Sequence, residues 1–347
     1  MEPTKVPDFD DLPKVPDMPQ GCAWGVFDKD GKKDLLGTLN ILTPTVVKAA
    51  FSEARDGVSI SLNWPLNGIP FPLPGRGQPT HKQVTLRESG ISEGTGWDDE
   101  ITFNTQISSQ WDSLIHWQHQ PSGLAYNGIS VSKEALGVPH TAANTMPTLD
   151  HWHAAGGVVA RGVLIDFKSW AEVRARAEGK TGEAATFHPL DGHRITVAEL
   201  EAVAKDQGVE FRPGDILVVR TGLTEILQAP RPEDLAKLQT QKIAGVHGVL
   251  ESAKWIWNKH FAAVAGDSWA FEALMPLKED GNVGGPTDLY LHSWLLSMFG
   301  MPIGELWDLK ALSEHCKATE RYSFLLTSVP LNIPGLIGSP PNALAIF

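Results

Sequence analysis

The 347-residue chain has only two cysteines, Cys22 and Cys316, far apart and outside any CxxC pair. That scarcity excludes a disulfide framework and a cysteine-type zinc site, and it makes a reducing, cytoplasmic setting the expectation. Basic residues are also in short supply: 29 Lys and Arg stand against 41 Asp and Glu, a formal net charge of −12. Such a field repels phosphate backbones and anionic lipid, so neither nucleic acid nor a membrane is expected as a partner. No run approaches the roughly 18 apolar residues that span a bilayer. The start, MEPTKVPDFDDLPKVPDMPQGCAWG, lacks the basic residues and apolar stretch of a signal peptide. Walker loops, a GxGxxG after a strand, a GxSxG elbow and HExxH are all missing. Their absence argues against a nucleotide cofactor, a serine-hydrolase elbow and zincin chemistry. Tyrosine is rare at three residues while tryptophan reaches twelve, a large supply of flat apolar surface. Core packing is the first reading of those indoles, and an aromatic-lined pocket is the second, for Trp117 in particular.

What is present reads as α/β. Prolines recur over residues 1–22 with no apolar period, which predicts an extended arm suited to contacts with a neighbouring subunit, ahead of one domain over residues 23–347. GGVVARGVLIDF, PGDILVVRTG and FAAVAGD are near-continuous apolar runs, the pattern of strands buried on both faces. SWAEVRARAEG, GVLESAKWIWNKH, TDLYLHSWLLSMFG and TVAELEAVAKDQG read as helices, the last opened by a Thr196/Glu199 capping box. TPTVVKAAFSEARDG is a further helix with Thr43 as its cap, and YSFLLTSV a late strand. The alternation predicts a mixed β-sheet flanked by helices. The passage from GIPFPLPGRGQPTHKQ to RESGISEGTGWDDE reads as loop.

The chemistry concentrates in TQISSQWDSLIHW, residues 105–117. A strand here puts Gln106, Gln110 and Asp112 on one face, and His116 follows after a bend. A carboxylate beside an imidazole can orient it and raise its basicity, giving a general base; the alternative is a helix-start pair in which Asp112 merely caps. His292 and Glu305 form a second pair in LHSWLLSMFGMPIGELWDL, where an unpartnered carboxylate would be costly. An arginine, backbone N–H groups or a metal would satisfy Glu305, the first two ranking ahead of the metal on sequence grounds. His151 and His153 in TLDHWHAAGG fit a surface helix start, while His247 and Asp267 lie at element ends and are secondary candidates.

Taken in order, DLLGTLNILTPTVVKAA, QWDSLIHW, YNG at 126–128, RGVLIDF, PGDILVVRTG, VAGDSWAFE, MPIGELWDL and PLNIPGLIGSPPNALAIF resemble the cyclase superfamily of metal-dependent hydrolases. That group includes kynurenine formamidase, isatin hydrolase and trans-dienelactone hydrolase, and the nearest likeness is to its larger members with QWDSLxH and YNG. The family motif is H-x-G-T-H-x-D-x-P-x-H, with two histidines and the aspartate on the metal and the last histidine as base. Aligned on Asp112, Gln106 and Gln110 stand for the two histidines, Ser109 for the threonine, Leu114 for the proline and His116 for the base. His292 and Glu305 match the family's second metal pair.

The resemblance implies a single swivelling-type α/β domain, a homo-dimer or homo-tetramer, and a hydrolase of a cyclic amide, lactone or aryl formamide. It implies catalytic roles for His116, Asp112, Gln110 and Gln106, and a divalent metal, Zn or Mn, on Asp112, Gln106, Gln110, His292 and Glu305. With two imidazoles replaced by amides, a metal-bound and a metal-free version stay open. In the latter the amides hold a water or an oxyanion. Trp111, Trp117, Tyr126 and Trp294 are the residues expected to pack an apolar or aromatic small-molecule substrate. A metal-independent lyase, dehydratase or cyclisation enzyme, and a ligand-binding protein with an emptied site, are the alternatives.

Overall fold

A computed structural model describes residues 6–278 and 280–347. Its centre is a curled, mixed sheet of nine strands. The strands Val158–Ile165, Ile216–Val219, Ala263–Gly266 and Ile303–Glu305 run parallel side by side. Antiparallel strands complete both edges: Ser323–Ser328, Ala343–Ile346 and Ser59–Ser61 on one side, Gln110–Asp112 and Gly338–Ser339 on the other. The single α/β domain expected from the sequence is the observed one, and the apolar runs explain it. Val163, Ile165, Leu217, Val219 and Val264 enter one core. Their neighbours Leu164, Ile216, Val218, Ala263 and Ala265 enter a second core on the opposite face. A strand that alternates between two apolar cores has no room for polar residues, so it is written as a continuous apolar run.

The helices lie where their caps put them. Thr196 accepts from the Glu199 N–H while the Glu199 carboxylate accepts from the Thr196 N–H, opening the helix Val197–Asp206. Asp166 caps Phe167–Ala177, and Thr43 caps Pro44–Ala50. Asp267 is structural: it accepts from the Thr221 and Gly222 N–H groups at the start of Leu223–Gln228. The stretch read as one helix through TDLYLHSWLLSMFG is instead a 3₁₀ turn, Pro286–Asp288, then Tyr290–His292, then a π-helix, Ser293–Phe299. Wide π turns inside helices collect at functional sites, and this one follows His292 directly.

One expectation is corrected here. The passage read as loop contains a hairpin, Thr80–Thr85 paired antiparallel with Trp97–Thr102. Its strands are almost wholly exposed, so neither face needed apolar residues and no alternation marked them. The arm expected over residues 1–22 is tied to its own chain, residues 1–5 lying outside the described residues. Phe9, Leu12 and Met18 are buried, the Phe9 N–H donates to Asn258 Oδ1 at 2.8 Å, and the Trp257 indole donates to the Pro7 carbonyl at 2.9 Å. Among the described residues, no helix is long and apolar enough to cross a membrane.

Candidate active site

The strand Gln110–Asp112 organises the site because successive side chains leave a strand on opposite faces. Its partner Ile303–Glu305 sets Glu305 against Gln110, Gly304 against Trp111 and Ile303 against Asp112. Gln110, Asp112 and Glu305 thereby share one face, and Trp111 points to the other. Gly304 is required on that other face, since a Cβ there would meet Ala265 Cβ at 2.7 Å and the Trp307 ring at 2.9 Å.

An amide relay links the shared face. Gln110 Nε2 donates to Glu305 Oε2 at 2.7 Å and to Gln106 Oε1 at 2.8 Å, and Gln106 Nε2 donates to Asp112 Oδ1 at 2.5 Å. His292 enters from its helix, with Nε2 3.2 Å from Glu305 Oε1 and Nδ1 2.9 Å from Glu272 Oε1. Glu272, the last residue of VAGDSWAFE, also accepts from the backbone N–H groups of Tyr290 and His292 and so fixes the turn that presents the imidazole. Burial alone would push His292 down, but the hydrogen bonds and charges of Glu272 and Glu305 overcome it and hold its pKa up at about 10. Burial and the neighbouring Asp112 push the Glu305 carboxyl upward, against the opposing pull of His292.

His116 sits apart from that network. Its Nε2 is 4.0 Å from Asp112 Oδ1, too far for a hydrogen bond, and its ring has no hydrogen-bond partner among the described residues. Burial lowers its pKa below the ordinary imidazole value, Asp112 opposing and His292 and Arg76 assisting. The ring is therefore neutral near pH 7, and it faces a cavity of about 420 Å³. Gln106, His292 and Glu305 also reach that cavity, whose remaining wall is largely apolar: Phe71, Leu73, Trp117, Leu238, Trp269 and Leu274.

The expected residues thus divide. Asp112, His292 and Glu305 are buried together, each offering a ligand atom within 4.8 Å of the others, a set that could hold a metal ion. Gln106 and Gln110 do not join it as oxygen ligands in the observed arrangement, because their amide N–H groups are turned toward the two carboxylates. Trp117 lines the cavity. Trp111, Tyr126 and Trp294 do not. Trp111 is wholly buried against Trp152 and Trp307, the Tyr126 hydroxyl donates to Asp34, and Trp294 packs on Phe9 and Phe299. The residues that the sequence reading missed are Glu272, Arg76 and Trp269. Glu272 and Trp269 lie in VAGDSWAFE, a segment of the resemblance to which no site role was attached, and Arg76 lies in the passage read as loop; only the fold brings the three to this face.

Residues 41–273 match the Cyclase family. No curated protein matches the chain by sequence. A solved structure described as a novel cyclase is 29% identical, with a TM-score of 0.74 over 94% of this chain and 99% of that one. Isatin hydrolase A from Labrenzia aggregata, bound to benzyl benzoate, is 16% identical, with a TM-score of 0.53 over 87% of this chain and 96% of its own. The enzyme of the same description from Ralstonia solanacearum is 15% identical, with a TM-score of 0.51 over 88% and 98%. At those two identities the likeness is one of fold.

Proposed function

Because the chain belongs to the Cyclase family and carries an unpartnered, neutral imidazole at an apolar cavity, we propose that it hydrolyses a cyclic amide, a lactone or an aryl formamide with His116 as general base. The carrying observation is His116. A ring with no internal hydrogen bond, facing a cavity beside buried carboxylates, is free to take a proton from a bound water. In the reaction that water adds to the carbonyl carbon, the C–N or C–O bond breaks, and the proton held on Nε2 passes to the departing nitrogen or oxygen. Trp117, Trp269 and Phe71 supply the flat apolar wall that holds an aromatic substrate and excludes bulk water.

The residues fit one divalent ion. Asp112 Oδ2 is buried without a hydrogen-bond partner, an arrangement that is costly unless a cation lies near, and the neighbouring Glu305 Oε1 faces only His292 Nε2 at 3.2 Å. Asp112, Glu305 and His292 would hold it, with Glu272 orienting the imidazole through Nδ1. Two carboxylates and one imidazole suit Mn²⁺ or Zn²⁺. When bound, the ion supplies Lewis acidity to the carbonyl and acidity to a coordinated water. Metal analysis of the purified protein is expected to find a single divalent ion per chain. Glu272→Gln is expected to weaken its binding by about 10–100-fold in a chelator titration.

Turnover on a panel of N-formylanilines, aryl lactones and cyclic imides tests the activity. Ligand binding without turnover on any of them would overturn it in favour of an emptied site.

A further inference from the structure

Arg76 stands at the same cavity, half-buried, in the segment that also contributes Phe71 and Leu73. Its Nη1 donates to the Gln106 carbonyl at 2.9 Å, and this holds the guanidinium in place. No carboxylate lies within ion-pair distance of it, and its other nitrogens have no acceptor among the described residues. Arginines buried elsewhere in the chain are treated differently: Arg161 pairs with Asp215, and Arg220 with Asp166 and Glu225. The charge of Arg76 is nonetheless felt inside the cavity, where it helps lower both His116 and Glu305.

We propose that Arg76 anchors a carboxylate on the ligand, so that the cavity selects flat, apolar acids over their neutral counterparts. With Nη1 engaged on a carbonyl, the remaining N–H groups of the guanidinium can form the two-pronged contact that a carboxylate accepts. Glu305 also lines the cavity and disfavours an anion beside it. A ligand with one acidic end is therefore oriented with that end on Arg76 and its reactive carbonyl toward His116. The inference rests on this cavity being the substrate site, as in the reading above.

Equilibrium binding of benzoate and of benzamide, followed by the fluorescence of Trp117 and Trp269 and by calorimetry, tests it on the full chain with and without a chelator. Benzoate is expected to bind at least about tenfold more tightly than benzamide. Arg76→Gln removes that preference and leaves benzamide binding unchanged, while Arg76→Lys keeps part of it. Both variants melt with the unmodified protein, since the side chain gives up one hydrogen bond at a half-buried position. Equal binding of the two probes, or binding of neither at tens of millimolar, overturns the proposal. So does a preference that survives Arg76→Gln and disappears with chelator, which would place the carboxylate on a metal. Absence of hydrolysis on the substrate panel bears on the activity alone, because these probes report binding and not turnover.

Discussion

Replacing His116 with alanine lowers kcat on a cyclic amide, lactone or aryl formamide by about 10²–10⁴-fold, the usual contribution of a positioned general base. The fold should survive, because the ring makes no hydrogen bond that folding would lose. A melting curve close to that of the unmodified protein, alongside the loss of rate, separates a chemical role from a structural one. The pH profile carries the same assignment. The working form is the neutral imidazole, and burial keeps its pKa under the ordinary value of 6.5. The acidic limb of the activity profile should therefore lie below the pH at which an ordinary imidazole titrates, activity falling as the pH drops and the ring gains its proton. A His116→Ala variant with full turnover would remove the base from the mechanism.

Trp111→Ala should cost about 3–5 kcal/mol of stability, as expected for emptying the space of a large, fully buried aromatic. The indole ring centres of Trp152 and Trp307 lie 5.8 and 4.9 Å away, and its N–H donates to Ser328 Oγ at 2.8 Å. Truncation opens a cavity between two other tryptophans and strips the Ser328 hydroxyl of a donor. Chemical denaturation measures the loss. Had Trp111 packed the substrate, the same change would have raised KM with little effect on the denaturation midpoint. Trp117→Ala is the matching control, since that ring lines the cavity.

Trp111 also shows where sequence reasoning stops. It stands between Gln110 and Asp112 and is one of the aromatics expected to pack the substrate, yet a strand places adjacent residues on opposite faces. Tyr126 and Trp294 were misplaced for a related reason, as aromatic identity marks large apolar surface without saying which cavity or core receives it. The central strands were legible because burial on both faces writes an uninterrupted apolar run, and the helices because Thr196/Glu199 and Thr43 are local capping signals. Asp112, His292 and Glu305 were legible through motif order. The roles of Glu272 and Arg76 were not. Glu272 lies in SWAFEALM and Arg76 in LPGRGQ, and each acquires its role from a contact with a distant segment, Glu272 with His292 and Arg76 with Gln106.

The exposed hairpin bears on the rim of the cavity through chain statistics. Arg76 and Gln106 are the two ends of a long excursion, and bringing such ends together costs conformational entropy that grows with the logarithm of the loop's length. Zipping Thr80–Thr85 onto Trp97–Thr102 starts at the base of that excursion, with Thr80 opposite Thr102. The ribbon thus short-circuits the loop, leaving only the few residues on either side of its base to be closed. Length changes at the hairpin tip, between Thr85 and Trp97, should leave the rim undisturbed. Unzipping at Thr80 and Thr102 would return the entropy of the whole excursion to the contact between Arg76 and Gln106.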